Sequence, residues 1–204
     1  MTDERASARA LEIVTVDGPR AGILRRRAQP VRGVTREVRT LIEQMFETLR
    51  HARGVGLAAP QVGVGRRVIV IEVEDRRFAL VDPELLKQEG EVTGTEACLS
   101  IPGLLGDVPR SARVVVRARN RRNRYITVDA QGLLARVLQH EIDHLDGVLF
   151  TDRVRDPKTL RQAGGEATEV APESAASAAD IQVSGDTVPD DSGPAARAKP
   201  LRPA

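Results

Sequence analysis

The sequence predicts an α+β fold in which antiparallel or mixed β-strands pack around a central buried helix, with an N-terminal amphipathic helix and a disordered C-terminal tail. Apolar residues recur at helical spacing early in the chain and again late in it. The segments rich in β-branched residues cluster between these two helices and do not alternate with helices, which favours α+β over a series of βαβ units. The composition changes sharply after residue 161.

The first helix is predicted over residues 36–50. Thr35 is a favourable residue for the N-cap position, and an apolar stripe at helical spacing follows it. The stripe consists of Val38, Leu41, Ile42, Met45 and Leu49.

Four segments rich in β-branched and apolar residues predict two antiparallel strand pairs, each joined by a short polar connection. They are 68–73 with 78–81, and 114–116 with 125–128.

Residues 1–161 are predicted to form the folded domain, and residues 162–204 an acidic, disordered tail rich in Ala, Ser and Pro. The tail has few large apolar residues and no aromatic residue, so it cannot bury enough surface to offset the entropy lost on ordering. It carries seven acids and three bases, a net charge of −4. Because the whole chain carries +2, residues 1–161 carry +6.

The late helix, predicted over 133–146, contains the most informative motif. Plotted at 100° per residue, His140 and His144 point inward together with aliphatic residues. They belong to the pattern H-E-x-x-H, in which the i,i+4 spacing lets two imidazoles reach one ion while Glu141 lies beside it. Gly147 follows as a predicted C-cap. The polar side of this helix is predicted to consist of Arg136, Gln139, Asp143 and Asp146.

A catalytic metal needs a third protein ligand. The metzincin pattern would place a histidine where Phe150 stands, and a thermolysin-like glutamate has only Glu166 as a near candidate, in the predicted tail. His51 is expected to be a solvated residue at the end of the first helix. Cys98, the single cysteine, remains as either a ligand or an inert buried residue. An intramolecular disulfide is excluded, and a lone cysteine is compatible with the reducing cytoplasm.

The glycine-rich stretch 54–61 reads loosely as G-x-G-x-x-A, but a helix precedes it and a strand follows, which is the wrong context for a dinucleotide site. No nucleotide cofactor is therefore expected. The glycines favour a backbone that approaches a substrate closely, and Gln61 offers an amide donor for a developing oxyanion.

Three segments together resemble the peptide deformylase family. They are Gly-Val-Gly-Leu-Ala-Ala-Pro-Gln at 54–61, Glu-Ala-Cys-Leu-Ser at 96–100 and Gln-His-Glu-Ile-Asp-His at 139–144, in that order. The resemblance implies a metal-dependent hydrolase that removes the formyl group from the N-terminal formyl-methionine of nascent polypeptides, using metal-bound water activated by Glu141. It implies Fe2+ as the ion, for which Zn2+, Ni2+ or Co2+ can substitute.

The resemblance also implies roles for single residues. Cys98, His140 and His144 match the metal ligands, and Glu141 matches the general acid and base. Gln61 and the backbone N–H of Leu99 match the groups that hold the formyl oxygen. The substrate-binding positions are Val55, Gly56, Leu133 and Val137.

Three further expectations concern the surroundings of the site. Ala97 stands where the family usually has Gly, which would matter only if this position needed a positive φ. Arg110 is expected either to contact the substrate backbone or to be the exposed arginine of a turn. The implied partners are formyl-Met nascent peptides and, transiently, the ribosome, which the basic run 117–124 could approach.

The longest aliphatic run is far too short for a membrane span, and the charged N-terminus has no apolar segment behind it. A cytoplasmic monomer without a membrane partner is expected. Two alternatives remain: another mononuclear metallohydrolase of the peptidase type, and a catalytically silent homologue that acts as a binding module.

Overall fold

The structure is a computed structural model that describes residues 9–73, 76–163 and 182–184. It is an α+β fold, as predicted, with two helices and two antiparallel sheets among these residues. The helices are α1 (Arg36–His51) and α2 (Gly132–Leu145). The strands are β1 (Gly56–Ala58), β2 (Val68–Val73), β3 (Arg76–Glu89), β4 (Val92–Cys98), β5 (Ile101–Arg110), β6 (Arg113–Arg119), β7 (Tyr125–Gln131), β8 (Arg161–Gln162) and β9 (Gln182–Ser184).

The larger sheet has the order β1-β2-β3-β6-β7-β9, and the smaller one has the order β4-β5-β8. Both predicted strand pairs are present, β2 with β3 and β6 with β7, in antiparallel register. Strand β3 is longer than expected because it continues past an irregularity near Asp82 to pair with β6. The β4–β5 hairpin was not predicted from the sequence.

The two helices cover opposite faces of the larger sheet. Alternate residues of β2 separate accordingly: Ile69 and Ile71 belong to the core cluster beneath α2, whereas Val68 and Val70 belong to the cluster beneath α1. This alternation follows from the two-residue period of a strand. Helix α2 is therefore central, with the large sheet on one side and the β4–β5 hairpin close to the other.

The residues predicted to cap the two helices lie at the expected ends. Thr35 is the N-cap residue of α1, although its side chain makes no capping hydrogen bond to the helix backbone. Gly147 has φ 77° just beyond α2, and a Cβ there would lie 2.8 Å from the backbone of Arg25. Glycine is needed at this position both for the left-handed turn and for the close approach.

Most of the predicted tail lies outside the described residues. Its described part begins with Gln162, which belongs to β8, so the folded part continues past the expected boundary at residue 161. Gln182–Ser184 pair with β7 as an edge strand. No helix among the described residues is long and apolar enough to cross a membrane.

Candidate metal centre

Cys98, His140 and His144 come together at the inner face of α2. Their sulfur and imidazole nitrogen atoms all lie within 4.8 Å of one another, and Cys98 Sγ is 3.1 Å from His144 Nε2. The two imidazole rings are 5.0 Å apart between centroids, one helical turn from each other. The cysteine arrives from the end of β4, where the β4–β5 register shifts between Ala97 and Cys98. Such an irregularity re-aims a side chain at the edge of a ladder.

These three side chains fit a single divalent ion. Metal–ligand bonds are about 2.0–2.3 Å long, so ligand atoms this close can converge on one ion. His140 Nδ1 is 2.9 Å from Glu96 Oε2, which leaves Nε2 of His140 to face the cluster. A Cys-His-His set leaves one position of a tetrahedral ion open, as catalytic sites require.

The two histidines have opposite electrostatic surroundings. Burial lowers the pKa of His144 well below its usual value, and the neighbouring His140 adds to that effect. Burial would also lower the pKa of His140, but hydrogen bonds of its side chain with Cys98 and Glu96 prevail and raise this pKa well above its usual value. A metal ion at this site therefore competes with a proton for His140, whereas His144 offers a neutral nitrogen.

Glu141 lies beside the cluster and is almost fully buried. Its Oε2 has no hydrogen-bond partner among the described residues. Burial raises the pKa of Glu141 to about 7. The backbone of Gly56 in β1 lies directly against it, because a Cβ at Gly56 would come within 2.5 Å of Glu141 Oε1 and 2.8 Å of Val137 Cγ1. A larger residue at position 56 would displace Glu141.

Gln61 is buried in a short 3-10 turn, Ala59–Val62. Both the oxygen and the nitrogen of its amide group have contacts that fix its orientation. The backbone N–H of Ala58 donates to Gln61 Oε1 at 2.8 Å. Gln61 Nε2 then faces Ser100 Oγ at 3.3 Å and Cys98 Sγ at 3.6 Å. The donor end of the amide is therefore directed to the cluster. The contact between Gln61 and Ser100 was not predicted, although the serine lies in the second motif.

The four positions expected to bind substrate are not equally enclosed. Gly56 and Val137 meet beside Glu141, as described above, and Leu133 is partly buried against the core under α2. Val55 is 45% exposed, at the open end of β1. Leu99, whose backbone N–H is the second expected oxyanion donor, follows Cys98 in the turn between β4 and β5.

Part of the polar side of α2 is also buried, which the sequence did not reveal. Gln139 and Asp143 are enclosed, and Gln139 exchanges hydrogen bonds with the backbone of Ser111. Arg110 faces this side from β5. It is neither a turn residue nor exposed: its side chain is 5% exposed and contacts Glu96 and Asp143. The expectation of an exposed turn arginine was therefore wrong, since an arginine between strand residues gives no sign of a buried carboxylate partner.

Two smaller expectations are resolved. Ala97 lies exposed in β4, and the described non-glycine residues with positive φ are Arg53, Asp82 and Asn123. Alanine at position 97 is therefore unstrained. His51 is exposed at the end of α1, where its Nδ1 lies 2.8 Å from the carbonyl oxygen of Glu47, so it is a solvated helix-end residue as predicted.

Comparisons with known proteins agree with this geometry. The family model described as polypeptide deformylase matches residues 10–160. A peptide deformylase of Acetivibrio thermocellus is 52% identical over 145 residues, which cover 71% of this chain and 84% of that protein. A peptide deformylase of Symbiobacterium thermophilum is 47% identical over 152 residues, 73% of this chain and 70% of that protein.

Solved structures show the same fold. The crystal structure of a peptide deformylase from Synechococcus elongatus in complex with actinonin has a TM-score of 0.70 at 36% identity, covering 78% of this chain and 89% of that one. The enzyme from Thermotoga maritima has a TM-score of 0.69 at 39% identity, covering 72% of this chain and 99% of that one.

Proposed function

The chain belongs to the peptide deformylase family, and from this premise we propose which of its residues remove the formyl group from the N-terminal formyl-methionine of a polypeptide. The reaction is a metal-dependent amide hydrolysis. The observation that carries the assignment is the convergence of Cys98, His140 and His144 beside a buried carboxyl oxygen of Glu141 that has no hydrogen-bond partner in the described part of the chain. This arrangement places a ligand set and a proton acceptor within one enclosed site.

Cys98, His140 and His144 are the proposed ligands, and Fe2+ is the proposed ion. These three side chains would hold a divalent ion, which would supply Lewis acidity toward the formyl carbonyl and toward water. The burial of all three side chains supports the assignment, because buried imidazoles and a buried thiol otherwise have few satisfactory partners.

Glu141 is the proposed general base and acid. It accepts a proton from the attacking water and returns it to the amine of methionine as the C–N bond breaks. A carboxyl group with a pKa near neutrality is suited to both transfers. Gly56 supports this role, since the absence of a side chain there leaves room for Glu141.

Gln61 and the backbone N–H of Leu99 are the proposed donors to the formyl oxygen as negative charge develops on it. Donors fixed in advance stabilise such charge without reorganising during the reaction. The hydrogen bond from Ala58 N–H to Gln61 Oε1 supports this role by fixing which end of the amide faces the site.

Methionine is proposed to bind along Val55, Gly56, Leu133 and Val137. An aliphatic wall suits a flexible thioether side chain. We also propose that the catalytic domain ends near residue 161, which the matched range 10–160 supports. We further propose that the protein is a monomer that acts in the cytoplasm. A transient contact with the ribosome is proposed as well, and the exposed Arg122 and Arg124 at the tip of the β6–β7 hairpin support it.

The test is an assay for formate release. The protein is purified without oxygen and reconstituted separately with Fe2+, Zn2+, Ni2+ and Co2+. Formyl-Met peptides are compared with acetyl-Met and unblocked peptides of the same sequence. We expect formate from the formylated peptide alone and the fastest turnover with Fe2+. Cleavage of an internal peptide bond would instead identify a peptidase, and absence of formate release with every ion would refute the proposal.

A further inference from the structure

A buried network of charged side chains surrounds Glu96, which contacts the proposed ligand His140. Arg110 donates through Nε to Glu96 Oε1 at 2.8 Å and through Nη2 to Glu96 Oε2 at 2.9 Å. Its remaining nitrogen, Nη1, is 2.5 Å from Asp143 Oδ2 on α2. The side chains of Arg110 and Glu96 are 5% and 4% exposed. One guanidinium therefore connects a carboxylate of β4 to a carboxylate of α2.

Glu96 in turn contacts the metal cluster. Its Oε2 is 2.9 Å from His140 Nδ1. Both oxygens of Glu96 accept hydrogen bonds from the guanidinium of Arg110, so Glu96 is an acceptor toward His140 as well and His140 Nδ1 carries the hydrogen. With a hydrogen held on Nδ1, Nε2 is the nitrogen of His140 that a metal ion can bind, and it faces Cys98 and His144.

We propose that Arg110 is a positioning residue for the metal centre: its two parallel hydrogen bonds fix the plane of the Glu96 carboxylate, and Glu96 thereby fixes the ring orientation and tautomer of His140. This inference rests on the ligand set proposed above. It adds a residue that touches neither the substrate nor the ion. Groups that orient a ligand in this way raise metal affinity by about 10–100-fold.

The other arginines of the network are less suited to this task. Arg136 makes one hydrogen bond with Glu96, and its other bonds go to the backbone carbonyls of Val92, Gly94 and Val108. Arg153 contacts Asp143 alone in this network and is 49% exposed. The fork of Arg153 holds Asp143, whereas the fork of Arg110 holds both oxygens of Glu96, the carboxylate that contacts His140. Lysine cannot reproduce the geometry of such a fork.

The test measures the dissociation constant of Zn2+ by competition with a chelator, in wild type, Arg110→Lys and Arg153→Lys. Both substitutions keep the positive charge, and the second is the matched control on the far side of Asp143. We expect binding to weaken by about 10–100-fold in Arg110→Lys. In Arg153→Lys it stays within about twofold, since a half-exposed ion pair contributes little.

A second measurement separates positioning from simple stabilisation. The free energy of unfolding of the metal-free protein is measured in denaturant for the same variants. If Arg110→Lys loses stability but binds Zn2+ within about twofold of wild type, Arg110 only supports the fold and the proposal fails.

Glu96→Gln keeps the proposal falsifiable if Arg110→Lys does not fold. This variant removes the charge of Glu96, while Arg110 can still pair with Asp143. We expect Zn2+ binding to weaken by about 10–100-fold in Glu96→Gln. Where Arg110→Lys folds, the double variant should bind no more weakly than Glu96→Gln, because Arg110 acts through Glu96. Wild-type affinity in Glu96→Gln, or losses that add in the double variant, would overturn it.

Cys98→Ala separates this inference from the ligand assignment on which it rests. Zn2+ bound by Cys98→Ala with wild-type affinity means that the ligand set itself is wrong. Loss of Zn2+ in Cys98→Ala together with unchanged binding in Arg110→Lys means that the ligand set stands and only the role of Arg110 fails.

Discussion

Helices α1 and α2 lie on opposite faces of the same sheet but differ in what they bury. Helix α1 places Ile42, Met45, Phe46 and Leu49 against the sheet and leaves much of its opposite side in water. Helix α2 is covered on both sides, and four of its buried residues are polar or charged. They are Gln139, Glu141, Asp143 and His144.

This difference indicates which helix was shaped by packing alone. A buried polar group is costly unless it is hydrogen-bonded or bound. Helix α1 buries a mostly apolar stripe, and the hydroxyl of its buried Thr48 donates to the carbonyl of Gln44 and accepts from the N–H of Leu11. Gln139 and Asp143 of α2 have protein partners on the β4–β5 side. Glu141 Oε2 and His144 Nδ1 have none among the described residues. Unsatisfied groups of this kind are typical of a functional site.

Glu141→Gln is the strongest test of the α2 side. The amide has the same shape but cannot accept a proton, so we expect kcat for deformylation to fall by about 10²–10⁴-fold. Bound metal, measured by elemental analysis, should stay at the wild-type amount because the three ligands are untouched. Turnover near the wild-type rate would remove Glu141 from its proposed role.

Gln61→Leu tests the opposite wall of the same site. Leucine has a similar volume but no donor, and the loss of one oxyanion donor reduces kcat by about 10²–10³-fold. KM for the formyl-Met peptide should change much less, because the interaction strengthens as charge develops. A variant with a raised KM and an unchanged kcat would assign Gln61 to ground-state binding instead.

The contrast between the helices also explains what could be predicted from sequence. Helix α1 and the pairing of both strand pairs were predicted correctly, because periodicity and β-branched content are local signals, although β3 extends well beyond its expected end. The ligand candidates followed from a fixed spacing on one helix and from a single cysteine. The β4–β5 hairpin was missed because 92–110 contains glycines, prolines and charges that do not alternate clearly.

The polar network was missed for a different physical reason. Helical periodicity correctly placed Gln139 and Asp143 opposite the aliphatic stripes, but it cannot reveal that a second sheet covers that side. Arg110 lies 14 residues from Glu96 and 33 from Asp143 in the chain. Contacts of this range depend on the hairpin register, and no local pattern encodes it.

Ile42→Ala tests whether α1 contributes to stability alone. Ile42 is fully buried, and truncating such a side chain costs about 2–5 kcal/mol of unfolding free energy through lost burial and a residual cavity. Denaturant unfolding should show this loss, while kcat of the folded enzyme remains at the wild-type value. A large drop in kcat without a change in stability would mean that α1 contributes to the chemistry.

His51→Ala is expected to have the smallest effect, and it compares a histidine of α1 with a histidine of α2. His51 on α1 is exposed, so its replacement should change unfolding free energy by less than about 0.5 kcal/mol. The amount of bound metal and kcat should both equal those of wild type. His144→Ala, the matched change on α2, should lose metal. If His51→Ala lost metal as well, His51 would have to contribute to metal binding. The metal site would then depend on α1 as well as on α2, and the contrast between the two helices would fail.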